Sequence, residues 1–117
     1  MTAKRGDRAA PPPRPGGYVV RFATNDAAKG WEDLCRHAAA NTRMAFDAIE
    51  TDPCPMPSSG RQHQLKGALS TDTYGGKVLA QWRYEVTAGG RVWYLVDHDT
   101  RTCWIKYAGT AHPKSTE

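Results

Sequence analysis

Late in this 117-residue chain, three strand-like stretches gather cations and indoles on one side. In VLAQWRYEV, RVWYLVD and TCWIKYA, alternate positions carry Gln81, Arg83 and Glu85, then Arg91, Trp93 and Leu95, then Trp104 and Lys106. Successive side chains leave opposite faces of a strand, so these residues share one surface. Cations there can attract a phosphate backbone, and an indole can stack on an unpaired base, an interaction worth about 1–3 kcal/mol in single-strand binders. The chain also has four histidines, His37, His63, His98 and His112. An imidazole titrates at about 6.5 when unperturbed, so it can give or take a proton near neutral pH. The plainer alternative is ordinary charge scatter with inert histidines, and His37 at a helix end and His98 in a turn read that way.

The elements that must position these residues follow from pattern. YVVRFA predicts a first strand over Tyr18 to Ala23, closed by Thr24, Asn25 and Asp26. Asp26 can cap a helix from about Ala27 to Ala38, with Trp31, Leu34 and Cys35 on its apolar face. Asn41 reads as a second cap, for a helix over about Thr42 to Thr51 that places Met44, Ala45, Ala48 and Ile49 on one side and stops before Pro53. Proline, glycine and polar residues between Asp52 and Gly76 predict an irregular connection, which contains RQHQLKG. Three antiparallel strands then follow, broken at AGG and DHDTR. The order βααβββ predicts one compact α+β domain, an antiparallel sheet with a helical hairpin packed on one face. Val78, Ala80, Trp82, Tyr84 and Val86, with Val92, Tyr94, Val96, Cys103, Ile105 and Tyr107, form the expected core face, and Trp31 joins them.

A chain of this size builds one domain and one active surface. Its net charge of +4 is unevenly spread, with residues 1–17 at +3, 18–60 at −2 and 61–117 at +3. A basic later half is the electrostatic footprint of a phosphate-backbone partner. The opening MTAKRGDRAAPPPRPGG lacks apolar periodicity and reads as a disordered basic arm over 1–17, ahead of a domain over 18–117. No stretch approaches the roughly 20 apolar residues of a membrane span, and no secretion signal opens the chain, so a cytoplasmic location is expected. Cys35, Cys54 and Cys103, odd in number and irregular in spacing, suit neither a disulfide framework nor a zinc site. No metal and no cofactor are expected.

With its Leu-Lys-Gly step at Leu65 to Gly67, then QWRYEV, then RVWYLV from Arg91, then a glycine and a histidine near the end, the chain resembles the RelE/ParE superfamily of toxins. The resemblance covers roughly Tyr18 to Lys114. It implies a small sheet with a helical hairpin on one face and, in the RelE and YoeB branch, a ribosome-dependent mRNA endonuclease. Arg91 matches the arginine that meets the scissile phosphate, and His112 matches a C-terminal histidine that acts as general acid. His63 stands where the YoeB branch has a glutamate base. Arg83 and Glu85 occupy the strand where RelE has catalytic lysines, which are absent here. Glu85 reads either as a base or as a salt-bridge partner of Arg83 or Arg91.

Lys66, Lys106 and Lys114 would add phosphate attraction, and Trp93 or Trp104 would stack on a base. Cleavage through the 2′-hydroxyl needs a base, a cation for the phosphorane and an acid for the 5′-oxygen, which two histidines and an arginine can supply without metal. The implied partners are the ribosome, mRNA and a cognate antitoxin in a hetero-oligomer, with no membrane. The alternatives are a ParE-like toxin that inhibits DNA gyrase and a non-catalytic RNA-binding domain.

Overall fold

A computed structural model describes residues 3–9 and 11–111. The order of elements is β1 (Val19–Phe22), α1 (Asn25–His37), α2 (Ala39–Thr51), β2 (Gln62–Gln64), a 3-10 turn (Gly67–Leu69), β3 (Thr71–Tyr74), β4 (Lys77–Glu85), β5 (Arg91–Asp97) and β6 (Thr102–Gly109). The two helices and a mixed six-stranded sheet make one compact α+β domain. Among the described residues, no helix is long and apolar enough to cross a membrane.

The sheet runs β1-β6-β5-β4-β2, with β3 also paired to β4. It is not antiparallel throughout, because β1 runs parallel to β6 with Val20 opposite Cys103 and Phe22 opposite Ile105. Two hairpins order β4, β5 and β6 locally, but β1 reaches β6 only after the chain has crossed the sheet through both helices. The stretch expected to be irregular contributes β2 and β3, which pair with β4 one after the other.

Helix starts also differ from expectation. The Thr24 hydroxyl, not Asp26, caps α1 by accepting from the Ala27 amide at 2.9 Å. Asn41 lies inside α2, which begins at Ala39 and leaves Ala38 as the single residue between the helices. The buried residues of α2 are Thr42, Ala45, Phe46, Ile49 and Glu50, a stripe at helical spacing that leaves Met44 59% exposed.

Both helices cover one sheet face. Trp31, Leu34, Phe46 and Ile49 share a core with Val20, Phe22, Trp82, Tyr84, Val92, Tyr94, Val96, Cys103 and Ile105. Gly30 makes the close approach of α1 possible, since a Cβ there would sit 1.6 Å from the Ala108 carbonyl oxygen. Two expected core residues lie elsewhere. Val78 is 71% exposed at the far end of β4. Tyr107 is half-buried on the opposite face, because a bulge shifts the register between β5 and β6, so Trp93 pairs with Tyr107 and the next residue, Tyr94, with Ile105. The extra residue is Lys106, and past it Ala108 takes the core position.

The opening segment differs from a disordered arm over residues 3–9 and 11–17. Gly6 and Ala9 donate backbone hydrogen bonds to Phe22 and Val20 at 2.8 Å each, and Phe22 donates to Asp7 at 3.0 Å. Ala9 is buried, and Arg14 bonds the buried Glu50 carboxylate through its backbone amide and its guanidinium. Tertiary pairing to the edge of β1 therefore orders a stretch that has no periodicity of its own.

Candidate functional site

The face away from the helices carries the residues singled out by type. Gln62 sits on the core side of β2, where its amide donates to the Tyr94 hydroxyl at 2.9 Å and to the Asp52 carbonyl at 3.1 Å. Strand alternation then sends His63 to the other face, where it is the Cα partner of Arg83. Arg83 is the partner of Trp93, and Trp93 of Tyr107, so His63, Arg83, Trp93 and Tyr107 form one row across four strands. Beside it runs a second row of Glu85, Arg91 and Gly109. His63, Leu65, Lys66 and Arg83 line an open pocket of about 200 Å³. Leu65 is its buried floor and Lys66 its exposed cation.

Glu85 lies between two guanidiniums, with its Oε1 3.6 Å from Arg83 Nη2 and 3.7 Å from Arg91 Nη2. This is the salt-bridge arrangement, and it makes Glu85 a spacer for both arginines. Arg83 Nη2 also donates to the Gly60 carbonyl at 2.6 Å. Arg91 is only 6% exposed, and its Nη1 donates to the carbonyls of Thr87, Ala88 and Gly90 at 3.0, 3.1 and 3.1 Å. The residue expected against a phosphate thus clamps the β4–β5 turn, while Arg83 and Lys66 are the cations at the pocket.

The β3–β4 hairpin folds over the other end of this face. Tyr74 packs on Trp104 with ring centroids 4.5 Å apart, and Lys106 Nζ is 3.2 Å from Asp72 Oδ2. Burial acts to raise the Asp72 pKa, but hydrogen bonds from the Thr73 amide and from Lys106 outweigh it and hold the carboxyl below its usual range. Lys77 at the hairpin tip reaches Asp97 at 3.0 Å. Trp104 and Lys106 therefore have internal partners, and Trp93 is 6% exposed with its ring edge-on to Tyr107 at 6.2 Å.

Of the expected residues, His63, Lys66 and Arg83 line the pocket, Glu85 links Arg83 to Arg91 in the neighbouring row, Trp93 is the buried strand partner of Arg83, and Trp104 and Lys106 lie under the hairpin. His112 and Lys114 fall outside the described residues. Among those described, no three His, Cys, Asp or Glu side chains are grouped as a metal site requires. Sequence reasoning missed Tyr107, which period two assigns to the core and the bulge at Lys106 sends to this face; its hydroxyl donates to the Ala111 carbonyl at 2.6 Å. No signal in TCWIKYA marks that bulge. No protein-family model, curated protein or solved structure matches the chain.

Proposed function

We propose that this chain is a RelE/YoeB-like toxin, a ribosome-dependent mRNA endonuclease that cleaves through the ribose 2′-hydroxyl and is neutralised by a cognate antitoxin. One observation carries the reading: His63 and Arg83 are directly paired on β2 and β4 beside an open pocket that also holds Lys66. Paired residues on adjacent strands lie about 4.5–5.5 Å apart at Cα, so one phosphodiester can engage both side chains. In this mechanism His63 takes the 2′-hydroxyl proton, and the freed oxygen attacks phosphorus to form a 2′,3′-cyclic phosphate. Arg83 and Lys66 neutralise the charge that builds on the equatorial oxygens, and Glu85 keeps Arg83 in line. His112 protonates the departing 5′-oxygen. That assignment rests on the resemblance alone, because His112 lies outside the described residues. Arg91 serves by holding the turn and Glu85.

Expression in bacteria with primer extension on a translated message tests the proposal. The expected result is a set of cuts within codons that weaken by about 10²–10⁴-fold in His63→Ala and in His112→Ala, the usual worth of an acid or base group. Growth arrest with intact messages and broken DNA would replace this reading with gyrase poisoning. No arrest and no cuts would leave a non-catalytic binding module.

A further inference from the structure

The paired opening segment carries an arrangement that the nuclease reading does not use. Arg8 and Arg21 are antiparallel bridge partners, and the Ala9-to-Val20 and Phe22-to-Asp7 hydrogen bonds on either side make them a close, non-hydrogen-bonded pair. Such partners point to the same face. Val20 and Phe22 are core residues, so alternation places Arg21 and Arg8 on the face that carries His63 and Arg83. Asp7, one residue away, belongs to the other side, where Ala9 is buried. Arg8 is exposed and Arg21 half-buried, and among the described residues neither makes an ion pair. Among the described residues, the only side-chain hydrogen bond of either is Arg21 Nη1 to the Gly6 carbonyl at 3.0 Å. Like charges directly opposite each other on neighbouring strands repel, and an anion laid across them relieves that cost.

We propose that Arg8 and Arg21 form a second phosphate site, which grips single-stranded RNA flanking the cleaved linkage. The inference rests on the RNA-cleaving reading of the pocket. From β1 to β4 the sheet spans three strand spacings, roughly 14 Å, so the two sites lie on one surface at a distance that a strand of several nucleotides can bridge. A dinucleotide cannot occupy both. Exposed Lys4 and Arg5 strengthen the same edge.

The test is binding of fluorescent 2′-O-methyl oligonucleotides, which cannot be cut through the 2′-hydroxyl, to the full chain across a salt series. In Arg8→Gln/Arg21→Gln, an oligonucleotide of about ten nucleotides should bind on the order of ten-fold more weakly, with a salt slope shallower by about 0.7, the contribution of the one phosphate contact on a single strand that is lost. Dinucleotide affinity should stay at the wild-type value, and Tm should hold or rise as the repulsion is removed. Arg8→Glu alone, which breaks no bond within the described residues, should weaken the long ligand in the same way. Unchanged long-ligand affinity and slope would overturn the proposal, as would an equal loss for the dinucleotide or a wild-type chain that binds neither. Arm-dependent binding in a chain that cuts no message would leave the second site standing and remove the nuclease reading instead.

Discussion

Arg91 shows how a residue's surroundings decide between two roles that its type allows. Its guanidinium donates to three turn carbonyls and faces Glu85 in a setting that is 6% exposed. Hydrogen bonds from a charged group are worth about 1.5–3 kcal/mol each, and carbonyls left buried without a donor add to the loss. Arg91→Ala should therefore lower the urea midpoint clearly, with an unchanged slope, and any fall in cleavage should follow the loss of folded protein. A midpoint that stays put while cleavage disappears would return Arg91 to the phosphate. RVWYLV reveals an arginine at the start of a strand but not which way it turns, since the carbonyls it meets belong to a turn whose shape the sequence leaves open. For His63 the direction is set by Gln62, whose amide is drawn inward by the Tyr94 hydroxyl and the Asp52 carbonyl.

The β3–β4 hairpin is the element that turns an open sheet face into a partly roofed one. Tyr74 on Trp104, Lys106 with Asp72 and Lys77 with Asp97 hold it down. Burial acts to raise the Asp97 pKa, but hydrogen bonds from Lys77 and from the Thr100 amide exceed it, and the carboxyl titrates below its ordinary range, as Asp72 does. A depressed carboxyl stabilises the fold above its unfolded pKa of about 3.9 and loses that contribution as pH falls through the folded value. Lys77 is shifted upward by its hydrogen bond to Asp97, so its share is present below about pH 10.4 and is lost as pH rises past that. Urea midpoints should thus fall between pH 5 and pH 2, and Asp97→Asn should flatten that fall. An equally steep fall in the variant would show that the pair does not hold the hairpin. Little of this was visible beforehand, because proline, glycine and polar residues from Asp52 to Gly76 are what a loop and two short edge strands have in common.

At the level of the whole molecule, local pattern located both helices and the three late strands but not the helix caps or the exposure of Met44 and Val78, and the parts set by distant pairing were not legible. Helix periodicity around Trp31 and Leu34 and period two along Trp82 to Val96 located the core and the opposite face. The parallel pairing of β1 with β6, the opening segment on β1 and the Lys106 bulge depend on residues far apart in the chain, and no local pattern marks them. His63 and Arg83 were each legible by type, but their pairing required the short β2 strand. Whether that pairing cuts RNA by way of the ribose hydroxyl can be read on ribosomes programmed with a message that has one 2′-deoxyribose at the mapped cut position. The substituted message should stay whole while its all-ribose counterpart is cut to a fragment ending in a 2′,3′-cyclic phosphate. Equal cutting of both messages would contradict the mechanism.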